Sequence, residues 1–277
     1  MNTLKVGLML VALTALFLLI GNLIGGTTGV AIAFGLAVVL NVGSFWFSDK
    51  LVLKMTGAQP VDPTQAPELH AVVDRLAARA GIPKPRLYVV DDPSPNAFAT
   101  GRSPEHGVVA VNTGLLRVLD QPEVEGVIAH ELAHIRHRDT LTMAVVATVA
   151  GAVMMLASFA RFAAFFGGND EEGGNPVALL VMALVAPLAA MMIQMGISRA
   201  REYEADRLGA EIAGSPNGLA NALLKLERGA EAIPAHTPVQ AAHLCIVNPL
   251  RGGGLASLFS THPPVAERVR RLQAMQG

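Results

Sequence analysis

Residues 129–134 read Ala129-His130-Glu131-Leu132-Ala133-His134, and two imidazoles four positions apart constrain how the surrounding chain folds. On an α-helix, His130 and His134 lie about 40° apart around the axis and about 6 Å apart along it, so both rings reach one metal ion. Glu131 is turned about 100° from His130, where its carboxylate meets a water on that metal rather than the metal itself. The spacing His-Glu-x-x-His predicts a zinc-dependent hydrolytic centre with Glu131 as general base. The flanks agree with a helix, because residues 122–138 (PEVEGVIAHELAHIRHR) open with proline and early acids and close in bases, as the helix dipole favours.

Composition narrows the setting. Of 277 residues, 52% are hydrophobic and only 16% charged, which points away from an ordinary soluble protein. A net charge of −1 offers no electrostatic footprint for nucleic acid. The single cysteine, Cys245, excludes an internal disulfide framework and a cysteine-based zinc cluster, so ligands must be histidines and carboxylates.

Four apolar runs are long enough to cross about 30 Å of hydrocarbon. Val6–Ile24 and Gly29–Phe47 are separated by a short Gly-Thr turn. The first exceeds the core of a signal peptide, about 7–15 residues, so a retained hairpin is expected, with Trp46 and Phe47 at the interface. Residues 141–160 and 177–197 form a second pair around the glycine-rich, acidic stretch 167–174. The expected architecture is an α-helical integral membrane protein with two transmembrane hairpins and a small sheet, divided as 1–50, 51–140, 141–197 and 198–277.

The segments outside the hairpins have soluble character. Leu69, Val72, Val73, Leu76 and Ala80 recur at helical spacing until Gly81 and Pro83 stop them. Arg86–Val90, Asn96–Thr100 and Gly107–Val111 read as short strands, with a turn at 91–95. The segment 198–210 is charged and helix-compatible, and Val265, Val269, Leu272 and Met275 suggest a terminal helix. A hairpin that crosses and returns delivers residues after Ile197 to the side bearing His130.

A catalytic zinc ion takes three protein ligands. His137 shares the face of His130 and His134 but lies about 10 Å along the axis from His130, too spread for tetrahedral geometry. A carboxylate from the returning helix is better placed. Glu202 and Asp206 share one face there, opposite Glu204, and periodicity alone does not rank them.

Four motifs occur together: His130-Glu-Leu-Ala-His134, Ser198-Arg-x-x-Glu-Tyr-x-Ala-Asp206, Pro95-Asn-Ala-Phe-Ala-Thr-Gly101 and Ser260-Thr-His-Pro-Pro264. With the order of apolar runs, they make most of the chain resemble the HtpX-type membrane metalloproteases, relatives of the CAAX prenyl proteases. The resemblance implies an α+β zincin-like domain holding one zinc ion, and an endopeptidase of the bacterial inner membrane that acts on damaged membrane proteins. It carries the third ligand onto Glu202. Asp206, one turn later, then becomes an acceptor for a ring N–H of a ligand histidine. His262 is implied as a donor to the tetrahedral oxyanion. Asn96 and the strand after it are implied to hold extended substrate by edge addition. A prenyl-protein protease and a non-catalytic membrane scaffold with a structural metal are the alternatives.

Orientation follows from the bases. Lys5, Lys50, Lys54, Arg136, Arg138, Arg199 and Arg201 flank the spans on the motif side, against Arg161 alone on the other. That bias places the metal site and both chain ends in the cytoplasm.

Overall fold

The computed structural model describes residues 2–142, 199–232, 246 and 263–276. The expected second hairpin, beyond its first two residues, lies outside the described residues, as does His262. The described residues fall into two compact units, one ending at Phe47 and the other beginning at Ser48.

The first unit is most of helix α1 (Asn2–Thr56). Helical throughout, it does not run straight, because Asn41 Nδ2 donates to Thr14 Oγ1 at 2.9 Å and approaches the Leu10 carbonyl at 3.4 Å. In a straight helix residues 14 and 41 would be about 40 Å apart. The chain therefore doubles back, at Gly26, whose φ of +53° is open to glycine without strain. The two arms meet at Gly21 and Gly29, where a Cβ on Gly21 would lie 2.5 Å from the Gly29 carbonyl oxygen. Contact through glycines is how helices approach closely where no water drives their association. Of the two N-terminal spans expected from sequence, the second overlaps a helical window, Gly26–Gly43, long and apolar enough to cross a membrane. The first holds a shorter apolar stretch, Leu10–Asn22. Ile32, Phe34, Val38, Val39 and Val42 are exposed along the second arm.

The second unit is built on a four-stranded mixed sheet in the order β1-β2-β4-β3: β1 (Gln59–Pro60), β2 (Arg86–Val90), β3 (Ala97–Thr100) and β4 (Val108–Asn112). β2 and β4 are parallel, whereas β1 pairs with β2 and β3 with β4 antiparallel. β4 is buried at every residue and apolar from Val108 to Val111, as an inner strand requires. Two elements had no signal in the sequence. β1 is two residues long, too short for alternation to show, and α3 (Thr113–Val118) is a single short helix after β4.

Helix α2 (Pro67–Ala80) buries the five apolar positions anticipated for it and ends at Gly81 in the left-handed region. The motif helix α4 (Gln121–His137) lies centrally, in contact with α2, β3, α5 (Arg199–Ala213) and α6 (Asn217–Ala232). Val127, Ile128, Leu132 and Ile135 of α4 are excluded from water, each stabilising the fold by about 1.5–3 kcal/mol. Helix α7 (Val265–Gln273) docks on α5 and α6 through Val265, Val269 and Leu272. It stops before Met275, which is exposed on a following 3-10 turn rather than continuing the stripe.

Candidate metal centre

Helix α4 starts from a capping box. The Asp120 carboxylate accepts from the Glu123 N–H at 3.1 Å, and the Glu123 carboxylate accepts from the Asp120 N–H at 2.9 Å. Such reciprocal capping anchors the first turn and with it the phase of the helix. At the other end Arg138 adopts φ +59°, the one non-glycine residue with positive φ among those described. That conformation, costing a non-glycine residue about 1–2 kcal/mol, turns the chain so that Asp139 comes back beneath the last turn of α4.

Helix α5 crosses α4 at Gly209, where a Cβ would stand 2.9 Å from His130 Cα and 3.0 Å from its N. Only glycine allows this approach without displacement. Glu202, Asp206 and Gly209 fall at i, i+4 and i+7, so the helix face that touches α4 is the one presenting both carboxylates to the motif histidines.

His130, His134 and Glu202 are all buried, with one ligand atom from each lying within 4.8 Å of the others. The two Nε2 atoms are 3.2 Å apart. Glu202 Oε1 lies 3.6 Å from His134 Nε2, and Oε2 lies 3.8 Å from His130 Nε2. A tetrahedral ion with bonds of about 2.0–2.1 Å has ligand atoms about 3.3–3.4 Å apart, so the spacings suit one such ion. Charge points the same way. Among the described residues, the carboxylates of Glu131, Glu202, Asp206 and Asp139 surround the two imidazoles, with the guanidiniums of Arg268 and Arg201 beside them. Buried carboxylates in excess of buried cations call for a cation or for protons.

The pKa values of the protein groups express that imbalance. Burial pushes Glu131 up to about 8, opposed by His134 and aided by Glu202. Burial alone would depress His134, but Glu202, Asp139 and Glu131 outweigh it and lift the imidazole to about 9. Burial carries His130 down to about 4 despite Asp206, with the charges of His134 and Arg268 adding to the depression. For Asp206, the Arg268 guanidinium overcomes burial and holds the carboxyl below its usual range.

Each histidine has a carboxylate at its other ring nitrogen. His134 Nδ1–H donates to Asp139 Oδ2 at 3.2 Å. His130 Nδ1 lies 3.0 Å from Asp206 Oδ1, although that oxygen sits off the line of the ring N–H. Arg268 grips Asp206 at two points, Nε to Oδ2 at 2.8 Å and Nη2 to Oδ1 at 2.7 Å.

Of the residues singled out in sequence, His130, Glu131, His134, Glu202 and Asp206 come together. Glu131 accepts from the backbone N–H of Ala99 on β3. Asn96 directly precedes β3, which forms one edge of the sheet, but its carboxamide oxygen accepts from the Ile246 N–H at 3.2 Å. His137 is half-buried and stands outside the metal group, and Glu204 points outward to pair with Arg207. Arg268 and Asp139 were not singled out. Arg268 had a legible signal, since it occupies a buried position in the apolar stripe Val265-Val269-Leu272, where an arginine needs a partner.

The chain matches the sequence pattern of peptidase family M48 over residues 63–276. It is 53% identical to "Protease HtpX homolog" of Burkholderia thailandensis, covering 99% of this chain and 97% of that one. The same-named protein of Ralstonia pickettii is also 53% identical, covering 99% and 96%. Among solved structures, S. mikatae Ste24p shares the fold, with a TM-score of 0.55 at 20% identity, over 93% of this chain and 61% of that one. A family match across most of the length, with two histidines and a carboxylate poised around one point, establishes that the chain belongs to peptidase family M48 and is a metallopeptidase.

Proposed function

We infer that the protein is a membrane-bound zinc endopeptidase that cleaves misfolded or damaged membrane proteins from the cytoplasmic side of the bacterial inner membrane. The convergence of His130, His134 and Glu202 on one buried point beside Glu131 carries this reading. Two imidazoles and one carboxylate would hold the ion, and three protein ligands are the number of a catalytic site rather than a closed structural one. Bound there, zinc supplies a Lewis acid for the scissile carbonyl and lowers the pKa of a water molecule.

Glu131 takes a proton from the attacking water as its oxygen bonds to the carbonyl carbon, and passes that proton to the amine as the C–N bond breaks. Burial raises this carboxyl in the metal-free protein, and a cation held beside it would favour the ionised form that a base requires. The Ala99 N–H keeps this carboxylate turned toward β3. Because Asn96 pairs with Asn112 through the backbone, antiparallel alternation turns the backbone groups of Ala97 and Ala99 away from β4. An extended substrate would add along that edge, with Asn96 at its start. His262 is assigned the oxyanion on the resemblance of its motif.

Membrane residence rests on the apolar window Gly26–Gly43 and on the apolar runs at 141–160 and 177–197. With hairpins at both places, the Lys/Arg bias sets the metallopeptidase segments in the cytoplasm. The protein acts on protein substrates, and lipid is its other partner.

The test is metal analysis of detergent-purified protein together with cleavage of an unfolded membrane protein. Stoichiometric zinc, chelator-sensitive cleavage and an inert but zinc-loaded Glu131→Gln variant are expected. A zinc-loaded wild type without cleavage would favour the scaffold alternative. Orientation is checked with single cysteines at Asn169 and Ser215 in a Cys245→Ser background. On intact cells, an impermeant thiol reagent should label the first and not the second.

A further inference from the structure

Behind each metal-facing histidine stands a carboxylate, and behind each carboxylate an arginine. His130 is backed by Asp206 and Arg268, His134 by Asp139 and Arg201. The two series differ in strength. Arg268 holds Asp206 by a fork of two short bonds and is wholly buried. Arg201 reaches Asp139 by a single contact of 3.4 Å, and its Nε and Nη2 have no hydrogen-bond partner among the described residues.

We propose that Arg268 is a positioning residue of the metal centre, which fixes the plane of the Asp206 carboxylate and thereby the orientation and tautomer of His130.

Several observations carry this beyond simple docking of α7. Docking needs apolar side chains at the buried positions, which Val265, Val269 and Leu272 already supply. A guanidinium among them is tolerated only where its donors are satisfied. Here Nε and Nη2 serve Asp206, and Nη1 donates to the Ile246 carbonyl at 2.9 Å. A fork sets the carboxylate plane as well as neutralising its charge, which a lysine ammonium cannot do. Asp206 Oδ1, the oxygen nearest His130 Nδ1, is the one gripped by Nη2. A carboxylate oxygen fixed 3.0 Å from Nδ1 favours the proton on that nitrogen, which leaves the Nε2 lone pair for a metal.

The inference rests on His130 being a metal ligand, and the test separates the two. Zinc affinity is measured by competition with a chromophoric chelator on full-length protein in detergent, and cobalt-substituted protein gives the ligand-field spectrum. Wild type is titrated first, and failure to bind zinc ends the metal-centre reading and this one together. Given wild-type binding, Arg268→Gln is expected to weaken zinc about 10–100-fold and to shift the cobalt bands, with a smaller loss for Arg201→Gln. Arg268→Lys should not restore wild-type affinity; full restoration would assign the role to charge alone and overturn the proposal. Asp206→Asn/Arg268→Gln leaves no lone buried charge and guards against simple misfolding. It should bind zinc as Asp206→Asn does. If Arg268→Gln instead leaves affinity unchanged alone, or multiplies the loss in the Asp206→Asn background, Arg268 does not act through Asp206.

Discussion

His130 and His134 sit one turn apart on the same helix, each beside a carboxylate, yet burial dominates at the first and negative charge at the second. His130 lies mid-helix under the backbone of Gly209, with the Arg268 guanidinium 3.5 Å from its Nε2. His134 lies in the last turn of α4, where the helix dipole favours positive charge, facing Glu202, Asp139 and Glu131. In the metal-free protein one imidazole is held neutral and the other keeps its proton. The motif prescribes two equivalent ligands, and the neighbours on α5, α7 and the turn after α4 make them unequal.

Removing groups from the acidic side should have the largest effect. Glu131→Gln is expected to lower turnover by about 10²–10⁴-fold with metal content unchanged. Loss of metal in that variant would move Glu131 from base to ligand. Glu202→Ala should deplete bound metal, since it removes the one carboxylate among the described residues that reaches toward both Nε2 atoms. Glu204→Ala, on the outer face with Arg207, should not, and elemental analysis of the two side by side checks the helix phase.

The packing on the His130 side is tested by Gly209→Ala. Its methyl meets the His130 backbone, which cannot move aside as a side chain would, so a loss of about 1–3 kcal/mol in unfolding free energy is expected, with weaker metal binding. Unchanged denaturant midpoints would mean that α5 shifts freely.

The proton asymmetry predicts a pH profile for chelated protein. His134 rises from 6.5 to about 9 on folding, so its contribution is complete below pH 6.5 and is lost as pH climbs through 9. Glu131, raised from 4.5 to about 8, has its contribution complete below pH 4.5 and loses it as pH climbs through 8. His130, depressed from 6.5 to about 4, acts oppositely and costs stability as pH falls below 6.5. Thermal midpoints after chelation should therefore fall between pH 6.5 and 9, and a flat profile would remove the asymmetry. The smallest effect is at the turn. Arg138→Gly relieves a left-handed residue at the expense of chain entropy, for a net gain within about 1 kcal/mol, read as a slight rise in the midpoint with Asp139 still in place.

Much of the site was legible because it is local. Two histidines and a glutamate on one helix need only helical periodicity to be placed, and Glu202 and Asp206 share a face for the same reason. The five apolar positions of α2 and the strands at 86–90, 97–100 and 108–112 were legible by the same local rules. β1 and α3 were not, since two residues and one short helix carry no periodicity. The N-terminal reversal was announced by its glycines, but its contact through Asn41 and Thr14 joins residues 27 apart, beyond any window of pattern.

By itself the sequence named the candidates: which side chains could ligate a metal, which carboxylate is spaced to act as a base, and that both lie on helices. Tertiary structure decided how the second pair of acids divides its work. Glu202 and Asp206 are indistinguishable by phase, and only the crossing of α5 over α4 at Gly209 turns one toward the Nε2 atoms and leaves the other at Nδ1. Arg268 and Asp139 enter from α7 and from the left-handed turn at Arg138, far away in sequence or direction. Periodicity sets the face of a helix, whereas the identity of the atom it meets depends on which backbone can approach within contact distance.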